Sequence, residues 1–294
     1  MQYIGRFAPS PTGPLHFGSL LAALASYVDA RAHQGRWLVR IEDLDPPREQ
    51  PGASRQILAS LEAFGFEWDG EVRFQSQRHP AYRDALQRLL AQRHAYYCDC
   101  SRKQLLERTG SSRYDGYCLL NPPLSESSCA IRAHCEAGEI HFEDSIQGPR
   151  RYRLDDCSGD FVIRRRDGLY AYQLAVVVDD ADQGITHIVR GSDLLDETPR
   201  QIQLQRYLGF AEPRYSHIPV AAAPDGQKLS KQTFAAPLDN KQPLPALIQA
   251  LEFLGQAPDA SLHDGTPGEL LSWAVVHWQP ARIAPTLSKP APLD

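Results

Sequence analysis

The chain has 294 residues, of which 42% are hydrophobic and 23% are charged, and its formal net charge is -5 at pH 7. These values are ordinary for a folded globular protein with one large domain or two smaller ones. A net acidic chain is not a general binder of polyanions, so any RNA would be held by a local basic surface. The chain has no run of ~18 apolar residues that could span a membrane and no N-terminal apolar run typical of a signal peptide. We therefore expect a cytoplasmic protein without a membrane partner.

The first 45 residues predict a strand, a shaped loop, a helix and a second strand. Residues 3–8 form the first strand, and residues 9–18 are rich in proline and glycine. The helix would begin with Ser19 as its N-cap and run to about residue 33, because its apolar residues recur at helical spacing. Residues 37–41 form the second strand. A βαβ unit of this length predicts a parallel sheet with a right-handed crossover.

The rest of the chain continues to mix helical and strand patterns. The further predicted elements are helices at 54–64, 81–92 and 198–208 and strands at 161–166, 185–189 and 217–222. A strand at 169–178 would pair with 161–166 in a hairpin that turns at Asp167 and Gly168. The proline-rich tail at 280–294 is expected to be loose.

A candidate phosphate-binding loop joins the first strand to the first helix. Residues 6–19 read RFAPSPTGPLHFGS. A helix N-terminus carries unpaired N–H groups and a partial positive charge, so it favours anions. Gly18 allows a phosphate or a flat ring to approach the backbone closely, and His16 can donate a hydrogen bond to a phosphate oxygen. Arg6 lies at the carboxyl end of the strand, where open α/β sheets bind ligands.

A second loop, at residues 225–232, reads DGQKLSKQ and carries Lys228 and Lys231. Lysine ammonium groups are mobile point charges, which suits the negative charge that develops on a departing pyrophosphate. A loop with two lysines can close on that charge, and Lys231 would be its main phosphate contact. The alternative for this loop alone is a solvated basic turn.

Three of the six cysteines are spaced as metal ligands. Cys98, Cys100 and Cys118 lie in one short, turn-rich segment. Three thiolates and one further ligand make the tetrahedral set that zinc prefers, and His94 or water would complete it. Buried free thiols are the alternative. The remaining cysteines have no ligand spacing and are expected to be small core residues: Cys129, Cys135 and Cys157.

Both loops resemble signature sequences of class I aminoacyl-tRNA synthetases. Residues 9–18, PSPTGPLHFG, resemble the HIGH motif of the glutamyl and glutaminyl branch, with Ser19 in place of its second histidine. Residues 228–232, KLSKQ, resemble the KMSKS motif, with Leu229 in place of methionine and Gln232 in place of the final serine. Three segments resemble glutamyl-tRNA synthetases in particular: RIEDLD at 40–45, AYQLAVVVDD at 171–180 and GITHIVRGSD at 184–193.

The resemblance implies an α/β fold with the Rossmann-type parallel sheet of class I synthetases, a small zinc-bearing insertion and a helical C-terminal part. Residues 1–95 and 161–235 would form the two halves of the nucleotide-binding catalytic domain, and the second half would carry the lysine loop. Residues 96–160 would be the inserted, acceptor-type subdomain. Residues 236–294 would be a short helical region with a loose tail and without a full anticodon-binding domain.

The resemblance also implies the roles of individual residues. Glutamate would be bound by Arg6, Phe7, Ala8, Pro9, Ser10, Glu42, Tyr172 and Arg190. ATP, accompanied by Mg²⁺, would be bound by His16, Gly18, Ser19 and Lys231. The catalytic set would be His16, Gly18, Lys228 and Lys231. One structural Zn²⁺ would be held by Cys98, Cys100, Tyr114 and Cys118. Within these sets, Arg6 would take a substrate carboxylate and Glu42 the substrate ammonium.

The likeness to glutamyl-tRNA synthetases covers residues 3–235, and only about sixty residues follow Lys231, which we expect to be too few for the whole of a helical anticodon-binding region. This shortened form resembles the glutamyl-queuosine tRNA(Asp) synthetases, which activate glutamate without tRNA and transfer it to the queuosine base in the anticodon of tRNA(Asp). The expected partners are ATP, L-glutamate and tRNA(Asp) bearing queuosine, and the expected state is a monomer. The basic clusters at 150–153 and 164–166 are either an RNA surface or solvated faces.

Three alternatives remain open at this point. The chain could be a minimal glutamyl-tRNA synthetase that charges the 3′ end of tRNA(Glu). It could be a non-catalytic paralogue that binds an amino acid or RNA, although such a protein would not need the pyrophosphate loop. A nucleotidyltransferase of the same fold that acts on a small acid would need neither the zinc insertion nor an RNA surface.

Overall fold

The structure is a computed structural model that describes residues 2–222 and 236–291. Its strands are β1 (Ile4–Phe7), β2 (Arg36–Ile41), β3 (Arg73–Phe74), β4 (Ala95–Cys98), β5 (Ala130–Ala133), β6 (Glu139–Asp144), β7 (Gly148–Arg153), β8 (Phe161–Arg164), β9 (His187–Gly191), β10 (Arg214–Ile218), β11 (Val220–Ala222) and β12 (Ser288–Pro290). Its helices are α1 (Phe17–Ala32), α2 (Ala53–Ala63), α3 (His79–Ala91), α4 (Arg102–Thr109), α5 (Tyr117–Leu120), α6 (Leu154–Cys157), α7 (Tyr172–Asp182), α8 (Thr198–Leu208), α9 (Pro243–Phe253) and α10 (Pro267–His277). Among the residues described, none of these helices has the length and apolar character needed to cross a membrane.

A parallel sheet forms the centre of the molecule. β1 pairs with β2, β2 with β3, and β10 with both β9 and β6, all in parallel. The N–H of Thr186 donates to the carbonyl of Ile4 at 2.9 Å, which places β9 beside β1. The strand order is therefore β3-β2-β1-β9-β10-β6, with β7 antiparallel at the edge. The order reverses at β1 and β9, and open α/β sheets bind ligands outside the carboxyl ends of their strands at such a point.

Helix α1 is held rigidly on this sheet by its apolar side chains. Leu20, Leu21 and Leu24 are each no more than 1% exposed, and they share one hydrophobic core with β2 and with the C-terminal helices α9 and α10. Burial of one such leucine contributes roughly 1.5–3 kcal/mol. The N-terminus of α1 is therefore fixed at the switch point of the sheet.

A separate antiparallel sheet in the order β4-β5-β8 combines β4 and β5 of the predicted inserted segment with β8, which follows that segment in the chain. Four buried residues near this sheet form a small, separate hydrophobic core: Cys98, Leu105, Tyr114 and Cys118. Tyr114 forms a parallel bridge to Gly159. Gly159 has a φ of +61°, and a Cβ atom there would lie 2.1 Å from the carbonyl oxygen of Tyr114. Only glycine fits this position, which ties the cysteine-bearing segment to the end of α6.

The strand predicted at 169–178 is wrong, but the turn at Asp167 and Gly168 is present, because the N–H of Arg165 donates to the carbonyl of Leu169 at 2.8 Å and the N–H of Ala171 donates to that of Ile163 at 3.0 Å. β8 ends at Arg164, Tyr170 forms only an isolated bridge to Arg164, and the helix α7 begins at Tyr172. The run from 174 to 178, LAVVV, is rich in β-branched residues and therefore resembles a strand. It is buried on all sides of α7, so its apolar pattern contains no helical period that the sequence could reveal.

Three smaller expectations are also corrected. The N-cap of α1 is His16, not Ser19, which lies inside the helix. The strand predicted at 217–222 divides at Pro219 into β10 and β11, because proline cannot donate to a strand ladder. The part of the tail that the structure describes, residues 280–291, is not loose, since β12 pairs in parallel with β11.

Candidate active site and thiol cluster

A cavity of about 630 Å³ opens at the carboxyl ends of the central parallel strands. Ten of the predicted binding residues line it: Arg6, Phe7, Ala8, Ser10, His16, Gly18, Ser19, Glu42, Tyr172 and Arg190. Pro9 is buried rather than lining the cavity, and its carbonyl oxygen accepts a hydrogen bond from the N–H of Glu42 at 3.0 Å. Lys228 and Lys231 lie outside the described residues.

His16 forms the entry to helix α1. Its Nδ1 atom accepts a hydrogen bond from the backbone N–H of Gly18 at 3.1 Å. In the neutral ring the proton must therefore lie on Nε2, which makes that atom a donor. The first turn of α1 carries no acidic side chain to offset the positive end of the helix dipole. An anionic group is therefore favoured at this end of the cavity.

Arg6 and Glu42 belong to a buried network of charges. Asp180 of α7 is 3.2 Å from Nε of Arg6 and 2.8 Å from Nη1 of Arg40. Nη2 of Arg40 lies 3.4 Å from a carboxylate oxygen of Glu42. Burial raises the pKa of Asp180, but Arg40 and Arg6 outweigh this effect and hold it below its ordinary value. Burial raises the pKa of Glu42 to about 7, although Arg40 and Arg6 oppose the shift.

Arg190 is held from several sides at the end of β9. Its Nε atom donates to His217 at 2.9 Å, and its Nη2 atom donates to the hydroxyl of Thr198 at 2.9 Å and to the carbonyl of Leu194 at 3.3 Å. Its Nη1 atom lies 3.3 Å from the hydroxyl of Tyr172. Burial raises the pKa of Tyr172, so its hydroxyl stays protonated. Arg190 and Tyr172 can thus present donors to one anionic group.

Among its lining groups, the cavity combines the guanidinium groups of Arg6 and Arg190, the carboxylate of Glu42 and the positive end of a helix, and further charged residues also line it: Asp45, Arg48, Glu49, Arg165 and Asp193. The first three groups are suited to a small molecule that carries carboxylates and an ammonium group, and the helix end is suited to phosphate. Taken together, these groups suit an amino acid beside a phosphate-bearing ligand, and the buried network fixes the side chains of Arg6 and Glu42.

The predicted metal ligands also converge. The sulfur atoms of Cys98, Cys100 and Cys118 all lie within 4.8 Å of one another. The hydroxyl of Tyr114 lies 3.2 Å from the sulfur of Cys98 and 3.5 Å from that of Cys100. The alternative ligand His94 stacks its ring on Tyr207 at 3.9 Å instead. The three thiols converge closely enough to share one metal ion, and soft thiolates are the donors that zinc prefers.

The electrostatics of the thiols differ within the cluster. Burial raises the pKa of Cys118 to about 12. Burial also opposes ionisation of Cys98, but hydrogen bonding with Tyr114 and with Arg132, whose Nε lies 3.2 Å from the sulfur, lowers its pKa overall. Outside the cluster, Cys129 and Cys135 are buried as expected, whereas Cys157 is exposed, so the core assignment is wrong for Cys157. Cys157 is the last residue of the four-residue helix α6, and its side chain lies at the surface.

The two basic clusters occupy different parts of the fold. Residues 150–153 lie on β7, the edge strand of the parallel sheet, and residues 164–166 lie at the end of β8. Arg165 lines the cavity and lies 3.3 Å from a carboxylate oxygen of Asp45 and 2.5 Å from Asp167. It is therefore an ion-paired part of the cavity wall. An RNA-binding role for either cluster stays a prediction.

Comparison with known proteins identifies the family. Residues 4–255 match the family described as tRNA synthetases class I (E and Q), catalytic domain. The chain belongs to this family. Members of the family are ligases, and this class I synthetase is accordingly an enzyme.

Several curated relatives of this class I synthetase match over nearly their full length. The Glutamyl-Q tRNA(Asp) synthetase of Pseudomonas fluorescens is 56% identical over 289 residues, which are 98% of this chain and 96% of the relative. The protein of the same name from Pseudomonas paraeruginosa is 55% identical over 282 residues, which are 96% of this chain and 95% of the relative. The protein of that name from Pseudomonas putida is 55% identical over 289 residues, with coverages of 98% and 97%.

Two solved structures share the fold of this synthetase. The glutamate-tRNA synthetase of Elizabethkingia anophelis superposes with a TM-score of 0.82 at 23% identity, over 97% of this chain and 67% of that one. A glutamate tRNA ligase from Elizabethkingia meningosepticum, solved in complex with its amino acid, superposes with a TM-score of 0.80 at 24% identity, over 97% and 66%. The chain thus spans about two thirds of the length of either solved chain. The class I synthetase fold, with its parallel sheet and flanking helices, is confirmed.

Four buried residues of this synthetase were not singled out from its sequence: Arg40, Asp144, Asp180 and His217. A signal existed for Arg40, because residues two apart on a strand face the same side and Glu42 follows it at that spacing. A signal also existed for Asp180, since a carboxylate that ends an apolar run requires a buried partner. No local signal existed for Asp144 and His217, which the fold brings together across 73 residues.

Proposed function

We propose that this class I synthetase activates L-glutamate with ATP in the absence of tRNA and transfers it to the queuosine base in the anticodon of tRNA(Asp). The observation that carries the first half is the convergence of Arg6, Arg190 and Glu42 on one cavity. Glutamate has two carboxylates and one ammonium, which match two guanidinium groups and one carboxylate. The acceptor is supported by the name of the relatives that match over nearly full length.

In the proposed first step, an oxygen of the α-carboxylate of glutamate attacks the α-phosphorus of ATP. A bond forms between that oxygen and phosphorus, and the bond to the bridging oxygen of the leaving pyrophosphate breaks. Magnesium bound to ATP would neutralise phosphate charge. The chain itself would act by positioning and by charge stabilisation. His16 would donate from Nε2 to a phosphate oxygen, and Lys228 and Lys231 would approach the pyrophosphate.

In the proposed second step, a nucleophilic group of the RNA attacks the carbonyl carbon of glutamyl-adenylate, and AMP leaves with the bonding electrons. Asp180 would hold Arg6 in place during this step, since a carboxylate oxygen of Asp180 lies 3.2 Å from Nε of Arg6. The carboxylate side chain of glutamate would therefore stay bound while its activated carboxyl group reacts.

The test of the proposed function is ATP–pyrophosphate exchange with glutamate, first without tRNA and then with total tRNA. We expect exchange without tRNA. Transfer is then measured with labelled glutamate on purified tRNA(Asp) with and without queuosine, and on tRNA(Glu). We expect label only on the queuosine-bearing tRNA(Asp).

The other outcomes separate the alternatives. Exchange that requires tRNA(Glu), with label at its 3′ end, would assign a minimal glutamyl-tRNA synthetase. Exchange that leads to no labelled RNA would indicate a nucleotidyltransferase acting on glutamate. The complete absence of exchange in zinc-loaded protein would contradict the enzymatic proposal and leave a binding paralogue.

The pKa of Glu42 predicts how glutamate activation depends on pH. Burial raises this pKa to about 7, and only the ionised carboxylate attracts the substrate ammonium. Above pH 7 the carboxylate dominates and KM for glutamate should be lowest. As the pH falls below 7, KM for glutamate should rise, and well below pH 7 it should rise by about tenfold for each further pH unit. KM for ATP, measured in the same exchange assay, is the control and should not follow this curve.

A variant isolates the contribution of Glu42 to this profile. Glu42→Gln keeps the shape of the side chain but has no charge at any pH. We expect its KM for glutamate to be raised and to lose the rise between pH 7 and pH 6. An unaltered pH profile in Glu42→Gln would show that another group controls binding.

We further propose that the thiol cluster holds one structural Zn²⁺. Cys98, Cys100 and Cys118 would supply three thiolates, and Tyr114 would supply the fourth ligand. The hydroxyl of Tyr114 lies within 3.5 Å of two of the sulfur atoms, and water is the alternative for the fourth position. Zinc would link β4 and the loop that follows it to α5. This segment has a core too small to be stable alone.

Metal analysis of variants tests this site. The wild-type protein is expected to contain about one zinc per chain after dialysis, and Cys98→Ser or Cys118→Ser should lose it. Cys129→Ser is the matched control, because this buried thiol bonds instead to the carbonyl of Ser125 at 3.2 Å. Tyr114→Phe should weaken zinc retention if the phenol is a ligand and leave it unchanged if water is. Equal zinc content in the Cys98, Cys118 and Cys129 variants would refute the site.

A further inference from the structure

A chain of three buried side chains lies behind the cavity and ends at Arg190. His217 of β10 is the neighbour of Arg190 in the ladder between β10 and β9. Its Nε2 atom lies 2.9 Å from Nε of Arg190, and its Nδ1 atom lies 2.5 Å from Oδ2 of Asp144. The side chains of His217 and Asp144 are completely buried. Neither residue lines the cavity, and Arg190 is the cavity-lining residue whose side chain His217 contacts.

The contacts determine where the imidazole proton lies. The guanidinium Nε of Arg190 can only donate a hydrogen bond, so Nε2 of His217 must accept and carries no proton. The proton therefore lies on Nδ1, which donates to Asp144. Burial lowers the pKa of His217 to about 4, so the ring is neutral at physiological pH. A carboxylate that fixes the tautomer of a histidine is a recurrent way of orienting that ring.

Asp144 is itself held in one orientation. Its Oδ1 atom accepts the backbone N–H groups of Ile146, Gln147 and His217 at 3.1, 2.8 and 3.1 Å. Only Oδ2 faces the imidazole. The carboxylate therefore has one oxygen fixed by the backbone and the other committed to the histidine.

We propose that Asp144 and His217 are positioning residues for Arg190: the carboxylate sets the histidine tautomer that accepts Nε of Arg190 and so directs its Nη1 atom, together with Tyr172, into the amino-acid end of the cavity. This rests on the proposed function only in naming glutamate as the ligand that Arg190 binds. Without the acceptor at Nε, the guanidinium keeps its contacts with Thr198, Leu194 and Tyr172 but leaves a buried N–H donor without its partner.

Asp144→Asn tests the tautomer with minimal change of shape. The three backbone donors require an oxygen at the Oδ1 position, so the amide NH₂ must face Nδ1 of His217. Nδ1 then has to accept, the proton moves to Nε2, and Arg190 loses its acceptor. We expect KM for glutamate in ATP–pyrophosphate exchange to rise about 10–100-fold, as for the loss of a hydrogen bond to a buried charge, whereas KM for ATP changes less than about twofold.

A matched pair at His217 separates positioning from general stability. In His217→Gln, the amide oxygen reaches the position of Nε2 and can still accept from Arg190. In His217→Asn, the shorter amide reaches only the position of Nδ1. Both variants bury one amide in place of the ring, so we expect similar melting temperatures. Only the Asn variant should show the raised KM for glutamate.

Nitrogen-15 NMR of the histidine rings provides a readout that does not depend on activity. The wild-type protein should show His217 with its proton on Nδ1, and Asp144→Asn should show it on Nε2. A wild-type protein with that NMR signature but without glutamate-dependent exchange would contradict the proposed function and leave the positioning of Arg190 by Asp144 and His217 intact. If the wild-type protein is active, two results would contradict the positioning role of Asp144 and His217. One is an unchanged KM for glutamate in Asp144→Asn, and the other is the same KM for glutamate in His217→Gln and His217→Asn.

Discussion

Replacement of Asp180 by asparagine is expected to lower the melting temperature by roughly 10 °C. Asp180 is 3% exposed and is the shared partner of Arg6 and Arg40. Asparagine keeps the shape but removes the charge, which leaves two buried guanidinium groups without their shared partner, and Glu42 and Asp179 remain as the anions near Arg40. Removal of one partner from a buried ion pair costs about 3–5 kcal/mol. In a chain of this size each kcal/mol corresponds to roughly 2–4 °C.

Asp182→Asn is the matched control on the same helix. Asp182 is also paired with two arginines, Arg73 at 3.0 Å and Arg78, but its side chain is 50% exposed. Water already screens these pairs, so the same substitution should cost no more than about 1 kcal/mol. Calorimetry of both variants measures the difference. Equal melting temperatures would show that the buried network around Asp180 does not stabilise the fold.

Replacement of Arg190 by methionine should lower kcat/KM for glutamate by about 10²–10³-fold, since loss of one partner of a buried, hydrogen-bonded charge pair costs roughly 2–5 kcal/mol. Methionine keeps an unbranched stem of similar length but removes all the donors that reach Tyr172 and the cavity. Tyr172→Phe removes one neutral hydroxyl and should lower kcat/KM by about tenfold. ATP–pyrophosphate exchange at varied glutamate concentration measures both effects.

Arg206→Met controls for the substitution itself. Arg206 lies on α8 and pairs on the surface with Glu212 at 2.7 Å, with its side chain 46% exposed. We expect its exchange kinetics to match those of the wild-type protein. If Arg190→Met kept wild-type kcat/KM for glutamate, Arg190 would not bind the substrate, and the positioning role inferred for His217 would lose its purpose.

The sequence alone determined the class of fold and the family. The sequence pattern predicts a strand, a loop and a second strand at residues 3–8, 9–18 and 37–41. The register of β1 and β2 confirms that the two strands pair in parallel. The reason is that a short βαβ unit has one favourable handedness and the loop motif has few alternative uses. The predicted glutamate-binding residues lie around one cavity, except for Pro9, but their roles stay predictions.

Local patterns misled where burial was uniform or where partners were distant. The run from 174 to 178 is apolar on every side of α7, so β-branched composition predicted a strand in place of a helix. Proline content predicted a loose tail, yet residues 288–290 form a strand beside β11. Neither outcome is encoded within a few residues, because each depends on what the rest of the chain packs against that segment.

Only the tertiary structure decided which charges are buried together. Asp180 reaches Arg6 across 174 residues, and Asp144 reaches His217 across 73. Local sequence reports which side chains can ionise. It does not report which of them lose water on folding, and desolvation is the largest cause of the shifts at Glu42 and His217. The sequence therefore determined the fold class and family of this synthetase, whereas the tertiary structure decided which buried groups contact Arg190 and orient its guanidinium group.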